Sequence, residues 1–249
     1  MVIAIVALLI SLLLPALSQT RITARRAVCL SQIHSTAQAT FGYARDADGR
    51  VPGLSRITDS EGHPPGSLLA KLELPPSMGG STAFVSYFEQ SYLTNVVLEL
   101  SGAGPPEALT CPNHPQGQML FSGKPPIAYS TYTLPESFAA DPAVFDPAQT
   151  GPADVQLARV QRVHDVLHPS SKVLLFERRL FHERGQWSFD EAVARDVPVP
   201  TALSDGHGAM VRYPTPPATA PNRLRGTEVV QPMATIMGVL GSDSWTVER

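Results

Sequence analysis

Charge is missing from the start of this 249-residue chain: Met1 to Leu17 carry none, and their only hydroxyl is Ser11. A stretch with no polar face is not an ordinary amphipathic surface helix. An excess of basic residues is missing as well. Nineteen Lys and Arg stand against 22 Asp and Glu, a net charge of -3, which leaves no basic footprint for nucleic acid. Cysteine is scarce, with Cys29 and Cys111 alone, and two residues so far apart fit no metal-ligand spacing. The sequence also lacks a Gly-x-Ser-x-Gly elbow, a Walker loop, a His-Glu-x-x-His pair and a dinucleotide fingerprint. The reading from these absences is of a non-enzyme: no catalytic residue, no metal and no cofactor is assigned.

Proline, by contrast, is abundant. The chain has 24, about twice the usual ~5%; all but Pro15 fall between Pro52 and Pro232, often doubled, as at Pro64-Pro65 and Pro216-Pro217. Each removes a backbone donor and biases its predecessor away from helix. The body is therefore expected to consist of short elements joined by stiff loops. Ile127–Leu134 and Lys172–Glu177 read as strands from their β-branched and aromatic content. Leu68–Leu72 and Thr82–Leu93 are apolar enough for short helices. Asp205-Gly206, flanked by Ala202-Leu203 and Met210-Val211, signals a hairpin with a type I′ turn. An α+β head with a small antiparallel sheet follows.

The apolar start admits four readings. It could be a buried core helix, a secretory signal peptide cut near Ala16-Leu17-Ser18, a plain transmembrane anchor, or a helix from a larger assembly. A signal peptide needs a basic n-region, and Val2 follows Met1 directly. As a helix, Met1–Leu17 reaches ~25 Å against a hydrocarbon core of ~30 Å, so a plain anchor looks short at its start. Beyond Leu17 the period changes. Leu30, Ile33, Ala37, Phe41 and Ala44 recur at steps of three and four, and the pattern stops at Asp46-Ala47-Asp48-Gly49. One helix is expected from about residue 2 to about residue 46, with Gly49 suited to its C-cap.

The run VIAIVALLISLLLPAL, followed by an arginine-punctuated helix, resembles the N-terminal helix of type IV prepilins and type II secretion pseudopilins. The segment ARRAVCLSQIHSTAQATFGYARDADGRVPG extends the likeness to one large bacterial branch of pseudopilin-like proteins, with Arg25, Arg26, Cys29, Tyr43, Asp46, Gly49 and Pro52 in the matching places. LTCPNHP (109–115), IAYSTY (127–132) and HPSSKVLLFE (168–177) resemble that branch's Cys-Pro segment and two of its strands. ALSDGHGAMVRY (202–213) is similar to the Asp-Gly-His element of its C-terminal, His-x9-Asp-Gly processing-associated domain, although Arg195 stands where that pattern has its His.

The resemblance implies a pilin-like fold. It divides the chain into 1–19, the transmembrane or fibre-core half of the helix; 20–47, its amphipathic half; 48–213, the head; and 214–249, a C-terminal extension. The membrane and assembly positions are then Val2, Ile5, Leu8, Leu9, Leu12, Leu13 and Pro15. Pro15 would let the helix bend as subunits pack. A head expressed from about Asp48 onward is expected to fold alone.

The implied function is a non-catalytic structural subunit of a type II secretion or type IV pilus-like assembly. It would be single-pass in the bacterial cytoplasmic membrane, with its head on the periplasmic side. Its partners would be the lipid bilayer, other pseudopilin subunits, the secretion or pilus assembly machinery and, where the motif is present, prepilin peptidase. The alternative is a single-pass anchored or secreted ligand-binding protein. Arg21, Arg25 and Arg26 would by themselves hold their side in the cytoplasm, so orientation comes from the resemblance.

The family's basic leader and Gly-Phe-Thr-Leu-x-Glu cleavage and methylation motif precede such a helix and are missing before Val2. A start upstream of Met1 is expected, and six or seven further apolar residues would lengthen the span to ~36 Å. The in-frame upstream DNA is then expected to encode that leader and motif. A stop codon directly upstream would contradict it.

Three smaller sets of residues complete the reading. Cys29 and Cys111, 82 positions apart, could pair in an exported protein, worth roughly 4.5 kcal/mol on the chain-entropy model, or be a buried thiol and a loop thiol. Asp205 and His207 could form an acid–imidazole pair, against a turn aspartate and a backbone-satisfied histidine. His164 and His168 lie on an alternating, strand-like stretch that would hold their rings ~13 Å apart, too far for one metal.

Overall fold

The computed structural model describes residues 2–51, 111, 131–154, 157, 159–177, 179–180, 183, 187–214, 219–223, 227–230 and 235–247. The two short helices expected at 68–72 and 82–93, and the first part of the strand expected at 127–134, lie outside these residues.

Helix α1 runs unbroken from Val2 to Asp46, through Pro15. Forty-five residues at 1.5 Å each make it about 67 Å long. Pro15 has no N–H to offer the turn before it. Just after it, hydroxyls bond back onto helix carbonyls, Ser18 to Pro15 at 2.8 Å and Thr20 to Ala16 at 2.9 Å. The helix ends where the sequence breaks. Asp48 (φ 55°) and Gly49 (φ 79°) both turn left-handed, and the Gly49 N–H donates to the Ala44 carbonyl at 2.7 Å. That six-to-one bond is a Schellman stop, with Asp48 in the first left-handed position and Gly49 after it. A Cβ on Gly49 would fall 2.4 Å from the His164 ring, which would have to swing away, and the positive φ itself favours glycine there.

The head is built on a five-stranded antiparallel sheet. Its strands are β1 (Tyr132–Thr133), β2 (Val173–Glu177), β5 (Val199–Leu203), β6 (Gly208–Arg212) and β9 (Thr246–Val247), in spatial order β1-β2-β5-β6-β9. Two further pairs stand apart, β3 (Arg179–Leu180) with β4 (Trp187–Ser188), and β7 (Thr219–Asn222) with β8 (Thr227–Val230). Every residue of β2 and β5 is buried. Such strands have both faces covered, and here a helix lies on each.

On one face, Ile33 and Ala37 of α1 pack into a cluster with Tyr132, Leu134, Phe138, Leu175 and Ala202. On the other, α2 (Phe189–Ala194) packs with Val173, Phe176, Val199, Val211 and Tyr213. Phe189 stands edge-on to both Phe176 (5.1 Å) and Tyr213 (5.2 Å). An irregularity in β2 between Val173 and Leu175 shifts the register against β5.

This packing bears on where the head can be cut. The amphipathic half of α1 is part of the head's core, with Cys29, Ile33, Thr36, Ala37, Thr40 and Ala44 all buried. A chain beginning at Asp48 would lack them and leave the α1 face of the sheet uncovered. The severable piece is the stretch before about residue 20. The C-terminal stretch, set apart in the sequence, supplies edge strand β9 and pairs it with β6.

The hairpin sits where the sequence places it, between β5 and β6. Its turn differs from type I′, which needs positive φ at both central residues. Four residues, Ser204 to His207, join the strands, and Gly206 (φ 90°) is left-handed while Asp205 is not. The Gly206 N–H donates to Leu203, and the Leu203 N–H donates to His207. Gly206→Ala forces a side chain into that conformation and is expected to cost about 1 kcal/mol, read as a lower urea midpoint.

The stretch around His164 also departs from its expected strand. Val163–Asp165 is a 3-10 turn, and a single bridge joins Arg162 to Arg50. The Val163 N–H donates to Gly49 and the Val51 N–H to Gln161, and among the described residues the pairing extends no further.

Candidate functional site

Two features of α1 bear on function: its uncovered first half, and the buried cluster where its second half meets the sheet. From Val2 to Leu17 every described side chain is exposed, and Ile3, Leu12 and Leu13 show 85%, 65% and 61% of their surface. Val2, Ile5 and Leu9 lie on this surface too, while of Leu8 only the helical backbone is described. A contiguous apolar surface of this kind marks contact with lipid or with another chain. By length and composition, α1 is a helix able to cross a membrane. Cover begins near Ser18, and Cys29 is the first fully buried residue along the helix. Between them Arg26 turns to the head, its Nε donating to Glu183 Oε1 at 2.8 Å.

The cluster beneath Cys29 joins residues from four parts of the chain. Cys29 and Cys111 Sγ are 3.0 Å apart and both residues are buried. Glu177, at the end of β2, brings a carboxylate oxygen within 4.8 Å of both sulfurs. Tyr132 of β1, paired in register with Glu177, donates from its hydroxyl to Gln32 Oε1 at 2.9 Å and lies 3.2 Å from the Cys29 carbonyl. Burial first, then the nearby Glu177, Cys29 and Cys111, holds the Tyr132 phenol well above its ordinary 10.0. The Cys111 N–H donates to Thr131 Oγ1 at 3.0 Å, which fixes that cysteine beside β1.

A second buried network lies at the other end of β2. Lys172 Nζ stands 3.5 Å from Asp243 Oδ2, with both side chains fully buried. Asp243 also accepts from the Val173 N–H at 2.9 Å and from Thr235, whose hydroxyl meets Lys172 as well. This set closes the C-terminal stretch onto the sheet. Burial lowers the Lys172 pKa from 10.5, and Asp243 opposes that shift. Asp243 thus faces the Lys172 ammonium group.

Asp205 and His207 are exposed and form no acid–imidazole pair. Asp205 Oδ1 instead accepts the backbone N–H of His207 at 2.9 Å, the work of a turn aspartate. The sequence reading singled out Cys29 and Cys111 but not Glu177, Tyr132 or Lys172. The available signals were a carboxylate ending the apolar run VLLFE and a lysine directly before it.

Two buried tyrosines give the head a pH dependence. Tyr132 and Tyr213, the latter raised by burial, keep their protons in the fold above pH 10.0, where the unfolded chain loses them. The stability they contribute is present below pH 10 and lost as pH rises beyond it. Lys172 acts oppositely, adding stability as pH climbs from its lowered pKa to 10.5. Of these three groups, only the tyrosines act above that value. The melting temperature is expected to fall steeply there, and Tyr132→Phe and Tyr213→Phe should each flatten the fall.

No family model, curated protein or solved structure matches this chain.

Proposed function

We propose that this protein is a pseudopilin-like structural subunit. The first half of α1 holds it in the bacterial cytoplasmic membrane, with the head on the periplasmic side. The same helix packs it into a fibre of a type II secretion or type IV pilus-like assembly. The observation that carries the reading is the division of α1: a wholly apolar, uncovered half continues without a break into a half built into the head's core. The sequence resemblance over the same residues supports it.

The mechanism is physical rather than catalytic. A helix satisfies its own backbone hydrogen bonds, so it can sit in lipid and then exchange lipid contacts for those of neighbouring helices. Small side chains such as Ala7 and Ala16 permit close approach, and Pro15 loosens one turn where a packed helix must bend. The rigid seating of residues 29–44 on the sheet then fixes how each head is displayed along the fibre.

The test is removal of residues 2–17 from the full chain. The shortened protein is expected to leave the membrane fraction and lose assembly while its head unfolds at an unchanged temperature. A shortened protein that still supports secretion or pilus assembly in the source bacterium would end the reading.

A further inference from the structure

We infer that Cys29 and Cys111 form a disulfide that pins α1 to the head at the point where the free helix becomes buried. Four observations place the bond there. The sulfurs lie 3.0 Å apart although the residues are 82 positions apart in sequence. Each is held from a separate direction, Cys29 by its helix and Cys111 by its N–H on Thr131. Both are buried, at 0% and 1% exposure. Finally, two separate thiolates on one zinc ion sit ~3.7 Å or more apart, given Zn–S bonds of about 2.3 Å in a tetrahedron, so the spacing fits a bond better than a shared metal.

The chemistry balances by thiol–disulfide exchange with a disulfide-bearing oxidant of the extracytoplasmic space. One cysteine thiolate attacks the oxidant's disulfide and releases one of its sulfurs as a thiolate. The second cysteine, its proton passing to water, then attacks the mixed disulfide as a thiolate and releases the other. The two cysteines lose two electrons and two protons, and the oxidant is reduced to a dithiol. Because both sulfurs are buried in the finished head, exchange takes place during folding, before Cys111 is seated. Afterwards the same burial shields the bond from reductants.

Its position gives it a purpose. Force applied to the apolar half of α1 by neighbouring subunits reaches the head first at Arg26 and Cys29. An ion pair there can exchange with water, whereas a disulfide cannot slip. For its oxidant, though not for its geometry, the inference rests on the periplasmic placement proposed above.

The test alkylates the full-length protein with N-ethylmaleimide in denaturant, directly on extraction from the source bacterium and again after equilibration of the purified detergent-solubilised chain with oxidised glutathione in mild denaturant. No adduct is expected in either sample unless a reductant is added first, when both cysteines label. Cys29→Ser and Cys111→Ser should each leave one cysteine that labels without reductant. Reductant should lower the melting temperature of the wild type to that of the Cys29→Ser/Cys111→Ser variant, and leave that variant unmoved. Two adducts in both samples would overturn the inference, as would protection abolished by a chelator rather than by a reductant. Labelling in the cell extract with full protection after glutathione would support the bond's geometry and contradict the periplasmic placement.

Discussion

Leu9→Arg is expected to abolish assembly and strip most of the protein from the membrane while leaving the head folded. Leu9 sits in the middle of the uncovered apolar half of α1, 20 positions before Cys29, the first fully buried residue. An arginine at bilayer depth costs ~3 kcal/mol on insertion scales, and more when buried between subunits without a partner. Three kcal/mol is more than a hundredfold in a partition equilibrium, since ~1.4 kcal/mol is tenfold. Leu9 is exposed and lies far along α1 from the head's buried residues, so circular dichroism and the melting temperature of the detergent-solubilised variant should match the wild type. Leu9→Ala, which removes bulk without charge, should insert and assemble with reduced stability only.

Asp243→Ala is expected to produce the opposite pattern. The substitution leaves the Lys172 ammonium buried without its counter-charge and removes the acceptor for the Val173 N–H and the Thr235 hydroxyl. Breaking a buried pair in this way costs about 3–5 kcal/mol, a large part of the ~5–15 kcal/mol that holds a typical domain together. Lys172→Met should cost less, because Asp243 keeps two of its donors. Urea unfolding of the solubilised full chain reads both. The membrane fraction should retain the protein in each case, since α1's first half is untouched. The two substitutions thus separate the helix's role from the head's.

The long helix was legible because its signals are local. An uncharged run, a stripe at steps of three and four, and a stop at Asp46–Gly49 all lie within one continuous segment, and α1 ends at Asp46. The hairpin's position was legible for the same reason, though not its turn. The side chain of Asp205 caps the His207 N–H, and this favours a longer loop in which Gly206 alone takes positive φ. Apart from the approach of Cys29 to Cys111, contacts between distant segments were not legible. Nothing in the residues around Lys172 indicates that Asp243 closes over it, and nothing near Glu177 or Tyr132 indicates two cysteines between them. The strand read around His164 failed on the same ground. Alternation of apolar and polar residues describes a strand only when a partner edge is present, and there Gly49 and Arg50 offer a single bridge.

The central claim is that the apolar half of α1 touches lipid and then other helices of its kind, and never its own head. Site-specific photo-crosslinking from position 9 of the full-length chain, in the membrane of the cells that produce it, tests it most directly. The account predicts adducts with lipid and with the N-terminal helix of a second copy or of a similar apolar-helix subunit, the latter increasing as fibres assemble. Adducts confined to the chain's own head, or to a soluble periplasmic ligand, would contradict it.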